Sequence, residues 1–209
     1  MTRAREPGIA AFDFDGTLVP GDSFGPFLIR LVGLGPLLRS LAASGPRMAR
    51  SYQLSGRDEA KAALLRRAVR GVEVEEAHRL GARFGAELIS KIRPDVAERL
   101  EWHRRAGHRL VLISASLSLY LEPFGHELGF DDVIATRLEE DGGYLTGRID
   151  GRNVRAAEKA ARLRTLLGPD IAELWAYGDS AGDRQLLEMA DHPTWIRRTR
   201  LVTPPPSTG

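Results

Sequence analysis

Six polar side chains in this chain of 209 residues have the type and spacing to do chemistry: Asp13, Asp15, Ser114, Lys159, Asp179 and Asp183. Asp13 and Asp15 lie in Phe12-Asp13-Phe14-Asp15-Gly16-Thr17-Leu18, directly after the apolar run Ile9-Ala10-Ala11, which reads as the end of a buried strand. If the strand ends at Asp13 and the chain turns through Gly16 and Thr17, the two carboxylates are drawn around one small volume, which concentrates negative charge unless a cation shares it. An Asp-Gly pair is also common in surface turns that do no chemistry. Gly178-Asp179-Ser180-Ala181-Gly182-Asp183 sets two more acids four residues apart among small residues at a strand-to-helix junction. They make a second acidic pocket, of the oxygen-rich kind that suits a hard cation such as Mg²⁺; the alternative is that Asp183 caps its helix and Asp179 sits in a turn. In Ser114-Ala115-Ser116, a hydroxyl and the backbone N–H groups leading into a helix suit a phosphate, although serine is also an ordinary helix cap. Lys159 is a lysine among alanines, and Arg155 is an alternative cation near it.

The elements that must position these groups read as α/β alternation around a long helical stretch. Residues 22 to 105 are expected to be almost entirely helical, with Asp22 or Ser23 capping a first helix over Phe24 to Arg30, a second piece from Pro36 to Ala43, a turn at Ser44-Gly45-Pro46, and further helices over Arg57 to Arg70, from Val74 to about Leu88, and over Pro94 to Arg105. Strands follow at Arg109 to Ile113, Val133 to Ala135 and Leu174 to Tyr177, with helices at Leu117 to Leu128, Arg155 to Leu167 and Asp183 to Ala190, and Gly142-Gly143 turns a hairpin. Strands spaced by helices imply a doubly wound, mostly parallel sheet whose ligand site lies at the strands' carboxyl ends, where the two acidic clusters, the serine and the lysine meet.

Composition narrows the function classes. With 43% hydrophobic residues the chain can bury a substantial core, and without cysteine it has neither disulfides nor thiolate metal sites. The N-terminus has no apolar core of signal-peptide length before Pro7, so a cytoplasmic location is expected. Phe24 to Ala43 is apolar but broken by Pro26, Arg30, Gly33, Gly35, Pro36 and Arg39, which suits a surface-seeking amphipathic segment rather than a span. Net charge is only +2, yet residues 30 to 70 hold eight arginines and Lys61 against Asp58 and Glu59, a local balance of +7. That region is either a solvated face or faces an anionic substrate, membrane surface or nucleic acid; sparse aromatics and an acidic pocket that nucleic acid does not need argue against the last.

Asp13-Phe14-Asp15-Gly16-Thr17 resembles the first motif of the haloacid dehalogenase superfamily, Ser114 after an apolar strand its second, Lys159 its third, and Gly178-Asp179-Ser180 with Asp183 its fourth. The helical insertion between the first two is similar to the cap of the phosphoserine phosphatase branch, subfamily IB. Asp22-Ser23-Phe24, Ser114-Ala115-Ser116, Ala135-Thr136-Arg137-Leu138-Glu139, Thr146-Gly147-Arg148 and Asn153 resemble less characterised hydrolases of that branch, some acting on lipid phosphates. The resemblance implies a Rossmann-like core over residues 1–20 and 106–200, a helical cap of the C1 type over 21–105, and a flexible tail over 201–209. It implies Asp13 as nucleophile, Asp15 as acid and base, and Ser114 and Lys159 on the phosphate, with Gly16, Thr17, Ala115 and Asp22 near the substrate. Mg²⁺ would be held by the Asp13 and Asp179 carboxylates and the Asp15 carbonyl, with Asp183 in support. Gly182, where phosphoserine phosphatases usually carry asparagine, and Arg155-Ala156-Ala157 before the lysine depart from the pattern without removing a catalytic group. The expected function is a Mg²⁺-dependent phosphatase of a small phosphorylated metabolite. A phosphatase of lipid or lysolipid phosphates in peripheral contact with an anionic membrane, and a catalytically weak binding protein of the same fold, are the alternatives.

Overall fold

A computed structural model describes residues 8–42, 57–168 and 173–196. The expected turn at Ser44-Gly45-Pro46 and the tail over 201–209 lie outside these. The strands are β1 (Ile9–Phe12), β2 (Arg109–Leu117), β3 (Asp132–Asp141), β4 (Tyr144–Asp150), β5 (Leu174–Gly178) and β6 (His192–Trp195). They form one sheet in the order β4-β3-β2-β1-β5-β6, in which all neighbours run parallel except the β3–β4 hairpin. Side chains alternate across the sheet: Ala10, Phe12, Leu110, Leu112, Trp175 and Tyr177 enter one hydrophobic cluster, while Ile9, Ala11, Val111, Ile113, Leu174 and Ala176 enter another on the opposite face. Period-two alternation with both faces apolar is what a strand covered on both sides by helices requires.

Between β1 and β2 runs a helical insertion: α1 (Phe24–Val32), α2 (Leu34–Ala42), α3 (Arg57–Ala68), α4 (Val74–Ile89) and α5 (Pro94–Arg105). After β2 come α6 (Ser118–Glu127), α7 (Ala157–Leu167), and a 3₁₀ turn over Ala181–Asp183 leading into the short α8 (Arg184–Glu188). Helix α5 has Pro94 at its start and basic residues in its last turn, both favoured there. An aromatic chain ties insertion to core: Phe14 meets Phe124 edge to face at 4.8 Å, and Tyr120 touches both Phe27 of α1, at 4.8 Å, and Phe84 of α4, at 5.2 Å. No single helix among the described residues is long and apolar enough to cross a membrane; α1 and α2 together pass by length and composition but are bent by 112°.

Three elements depart from the sequence expectation. Strand β2 runs past Ile113 to Leu117, with a register irregularity between those residues, so Ser114 and Ser116 are strand residues and not a helix approach. The hairpin strands are longer than expected because β3 outlasts its pairing with β2 and continues with β4. His192-Pro193-Thr194-Trp195 forms an edge strand, a place where a proline is tolerated because its missing N–H faces no partner strand.

Candidate active site

Strand β1 is central, and Phe12 stands level with Leu112 on one side and Tyr177 on the other. The residues just beyond these, Asp13, Ile113-Ser114 and Gly178-Asp179, therefore emerge together at the carboxyl edge, at the point where successive strands are added first to one side of β1 and then to the other. Asp13 is 5% exposed. Its Oδ1 accepts from Lys159 Nζ at 2.5 Å and its Oδ2 from the Thr17 hydroxyl at 3.1 Å. Lys159, itself 3% exposed on α7, also donates to Asp183 Oδ1 at 2.5 Å. The other oxygen of Asp183 accepts from the Ser180 N–H at 3.0 Å and the Ser180 hydroxyl at 2.8 Å, so the loop after β5 is closed on itself by the residue that orients the lysine.

Asp15 faces a different set of partners. Its Oδ2 accepts from the Ser116 hydroxyl at 2.5 Å, and its Oδ1 from the Ser23 N–H at 2.8 Å. The Ser23 hydroxyl lies 3.4 Å from that of Ser116 and 2.8 Å from the Tyr120 hydroxyl, extending a buried polar chain from the carboxylate toward the insertion. Gly16 is needed on two counts: its φ of 81° is a glycine conformation, and a Cβ there would overlap the Asp179 carboxylate.

Burial and like charge shape the electrostatics. Burial, with Asp183 and Asp15 nearby, pushes Asp13 up to about 6 despite the opposing Lys159 ammonium. Asp179, exposed on its outer side, is also raised to about 6, by desolvation and then by Asp13 and Asp183. Asp15 is raised by burial against the hydrogen bonds from Ser116 and Ser23. Burial works against the Lys159 charge, but Asp13 and Asp183 outweigh it and hold that ammonium above its ordinary value.

One carboxylate oxygen from each of Asp13, Asp179 and Asp183 lies within 4.8 Å of the others. An all-oxygen, partly desolvated set whose members raise one another's pKa fits a hard divalent cation, which removes the repulsion that burial has magnified. The Asp15 carboxylate, taken up by Ser116 and Ser23, is not one of that trio, in keeping with an expectation that concerns only its main-chain carbonyl, and Asp183 adds a third carboxylate to those of Asp13 and Asp179.

Of the other expected site residues, Ser114 is 2% exposed and accepts from the Ser116 N–H at 3.1 Å. Ala115 is half-buried and offers its carbonyl to Lys61, whereas Asp22 is exposed and accepts from the Gly25 N–H at 3.0 Å, capping α1. Arg155 reaches toward Gly182, and the Ala156 N–H donates to the Gly182 carbonyl at 2.9 Å, fastening the α7 approach to the loop of Asp179 and Asp183. Sequence reasoning missed Ser116, Ser23, Tyr120 and Lys61. The i, i+2 spacing of Ser114 and Ser116 would have put both on one face had the strand been read to Leu117, and Lys61 is the one lysine in the arginine-rich stretch.

The family model described as haloacid dehalogenase-like hydrolase matches residues 10–188. Protein CicA of Caulobacter vibrioides is 39% identical over 189 residues, covering 89% of this chain and 84% of that protein. A phosphoserine phosphatase of Archaeoglobus fulgidus is 29% identical over 189 residues, covering 89% of this chain and 51% of its own length. Among solved structures, a Bordetella pertussis protein of unknown function superimposes with a TM-score of 0.69 at 24% identity, over 87% of this chain and 86% of that one. Family match and strand-edge motifs agree, and the chain belongs to the haloacid dehalogenase-like hydrolases.

Proposed function

We propose that the chain is a Mg²⁺-dependent phosphomonoesterase that passes the phosphoryl group of a small phosphorylated metabolite through an aspartyl-phosphate on Asp13. The observation that carries this reading is a buried carboxylate, Asp13, held on one oxygen by Lys159 and on the other by Thr17 at the carboxyl end of the central strand. That geometry presents a fixed nucleophile beside a fixed cation, which an anion approaching a phosphate dianion needs. Asp13 attacks phosphorus, and Lys159 and Ser114 take the phosphoryl oxygens. Asp15, positioned by Ser116 and Ser23, protonates the leaving oxygen and then deprotonates the water that opens the acyl phosphate. The divalent ion, Mg²⁺ by donor type, would be held by Asp13 and Asp179, with Asp183 keeping Lys159 in line; it supplies charge neutralisation as the phosphoryl group transfers. Residues 21–105 serve as the cap that selects the leaving group.

Replacing Asp13 by asparagine should abolish hydrolysis of an aryl phosphate, a loss of at least about 10³-fold in kcat; unchanged turnover would sink the mechanism. Mg²⁺ should raise the melting temperature of the wild type and do so less in Asp179→Asn, a readout that needs no turnover. A lipid phosphate as substrate is favoured by one feature, the exposed Ile29, Leu34 and Leu38 on α1 and α2. Sedimentation with anionic liposomes separates the two, since an enzyme of soluble metabolites stays in the supernatant.

A further inference from the structure

Three groups of the site are buried, Asp13, Lys159 and Asp183 at 5%, 3% and 1% exposed, while Asp15 is half-buried and Asp179 exposed. Three cavities among the described residues, of about 500, 690 and 480 Å³, are lined by other residues than Asp13. The insertion meets the core beside these groups, so a contact between the two can set how the catalytic loops are held.

Besides Ser23, which bonds Asp15 from the start of α1, a second polar contact joins the insertion to the catalytic loops. Lys61 on α3 is half-buried, its ammonium 4.9 Å from the Phe24 ring centre. It donates to the Ala115 carbonyl and, at 2.8 Å, to Asn153 Oδ1. Asn153 precedes the helix of Lys159, accepts from the Thr136 hydroxyl at 2.9 Å, and donates from Nδ2 to Asp58 Oδ1 at 2.7 Å. Asp58 and Lys61 are three residues apart on one face of α3, so a single helical turn grips one core asparagine from both sides. Thr136 is in turn fixed by the Val154 N–H at 3.1 Å.

The Ala115 carbonyl and the Ser116 N–H belong to one trans peptide plane and point in opposite directions. Pulling the carbonyl toward Lys61 aims the N–H at the Ser114 hydroxyl oxygen, which it reaches at 3.1 Å. With that oxygen already accepting, the Ser114 proton is left to donate elsewhere, and the same plane carries the Ser116 side chain that holds Asp15. Burial lowers the Lys61 ammonium to about 8, against the pull of Asp58, Asp15 and Asp22.

Resting on the phosphatase reading above, we propose that Lys61, with Asp58 and Asn153, is a closure clasp: seating of the insertion orients the Ala115–Ser116 peptide and thereby aligns Ser114 and Asp15 for phosphoryl transfer. Lys61 is a positioning residue, acting through that peptide and not on the substrate.

The test uses Lys61→Met, which keeps the apolar stem over Phe24, Lys61→Arg, which restores a donor, and Asn153→Ala, which cuts the other half of the grip. Amide hydrogen exchange is read at the segment around Ser116, and steady-state kinetics on an aryl phosphate with Mg²⁺. Lys61→Met and Asn153→Ala should each speed Ser116 exchange by about tenfold or more. In Lys61→Met kcat should fall by about 100-fold with KM held within about threefold, and Lys61→Arg should recover most of both. Exchange at Ser116 unchanged in Lys61→Met overturns the clasp, as does a rise in KM alone, which would place Lys61 on the leaving group. A wild type that hydrolyses no phosphate monoester defeats the phosphatase reading instead, and the exchange measurement still decides whether the clasp exists.

Discussion

Ala156 holds φ 53° and ψ −124°, a backbone conformation that glycine enters freely and a residue with a Cβ enters at a cost of about 1–3 kcal/mol. The strain is placed at the start of α7, directly before Ala157-Glu158-Lys159, where the Ala156 N–H is bonded to the Gly182 carbonyl. Ala156→Gly should therefore stabilise the protein, by about 1 kcal/mol once the greater freedom of glycine in the unfolded chain is subtracted. Urea unfolding reads this as a higher midpoint at unchanged slope; a lower midpoint would mean the strain is not there. The same scale separates what could be read from the sequence. Asp13, Asp15, Asp179 and Asp183 announce themselves because residue type and strand-end position are local properties. Nothing local distinguishes Ser116 from a cap or Lys61 from a solvated surface lysine, since their partners are Asp15, 101 residues away, and Ala115, 54 residues away.

At the scale of elements, the insertion is joined to the core chiefly where α4 crosses α6, and Gly81 sets how close that crossing is. A Cβ on Gly81 would strike the Leu119 carbonyl and its carbon, main-chain atoms that cannot swing aside. Gly81→Val should cost about 1–3 kcal/mol by overpacking, even though valine in place of glycine at an exposed helical site would be nearly neutral or better. A thermal scan that leaves the melting temperature unchanged would show that the helices separate without penalty. Helix boundaries at α5 followed from proline placement, and the buried parallel strands β1, β2 and β5 from short apolar runs. The extension of β2 to Leu117 and the edge strand β6 did not, because each is decided by pairing with a distant strand, β3 in one case and β5 in the other.

Across the whole molecule, the two ends of the sheet respond to acid with opposite signs. At the site, Asp13 and Asp179 have folded pKa values of about 6, above the ordinary carboxylate value of 3.8. The folded state holds their protons more tightly, so without metal their contribution to stability grows as pH falls toward 4. On the same face as Phe12, His103 of α5 is fully buried, with Nε2 2.8 Å from the Tyr177 hydroxyl and Nδ1 2.7 Å from His108 Nδ1. Burial, then the charges of His108 and Arg99, push His103 down to about 3. Between about pH 6.5 and 3 the unfolded chain takes up a proton that the folded chain refuses, so this group destabilises the fold as pH drops. The opposing site carboxylates mask that slope in the wild type, and a comparison with His103→Gln removes the mask because both proteins share the site. Relative to wild type, the glutamine variant should gain about 0.8 kcal/mol between pH 7.5 and 6.0, whatever its absolute stability after losing ring contacts with Phe12 and Trp175. Urea titrations of the two proteins at each pH supply the difference, and a constant difference across that range would mean that His103 is protonated as readily in the folded protein as in the unfolded one.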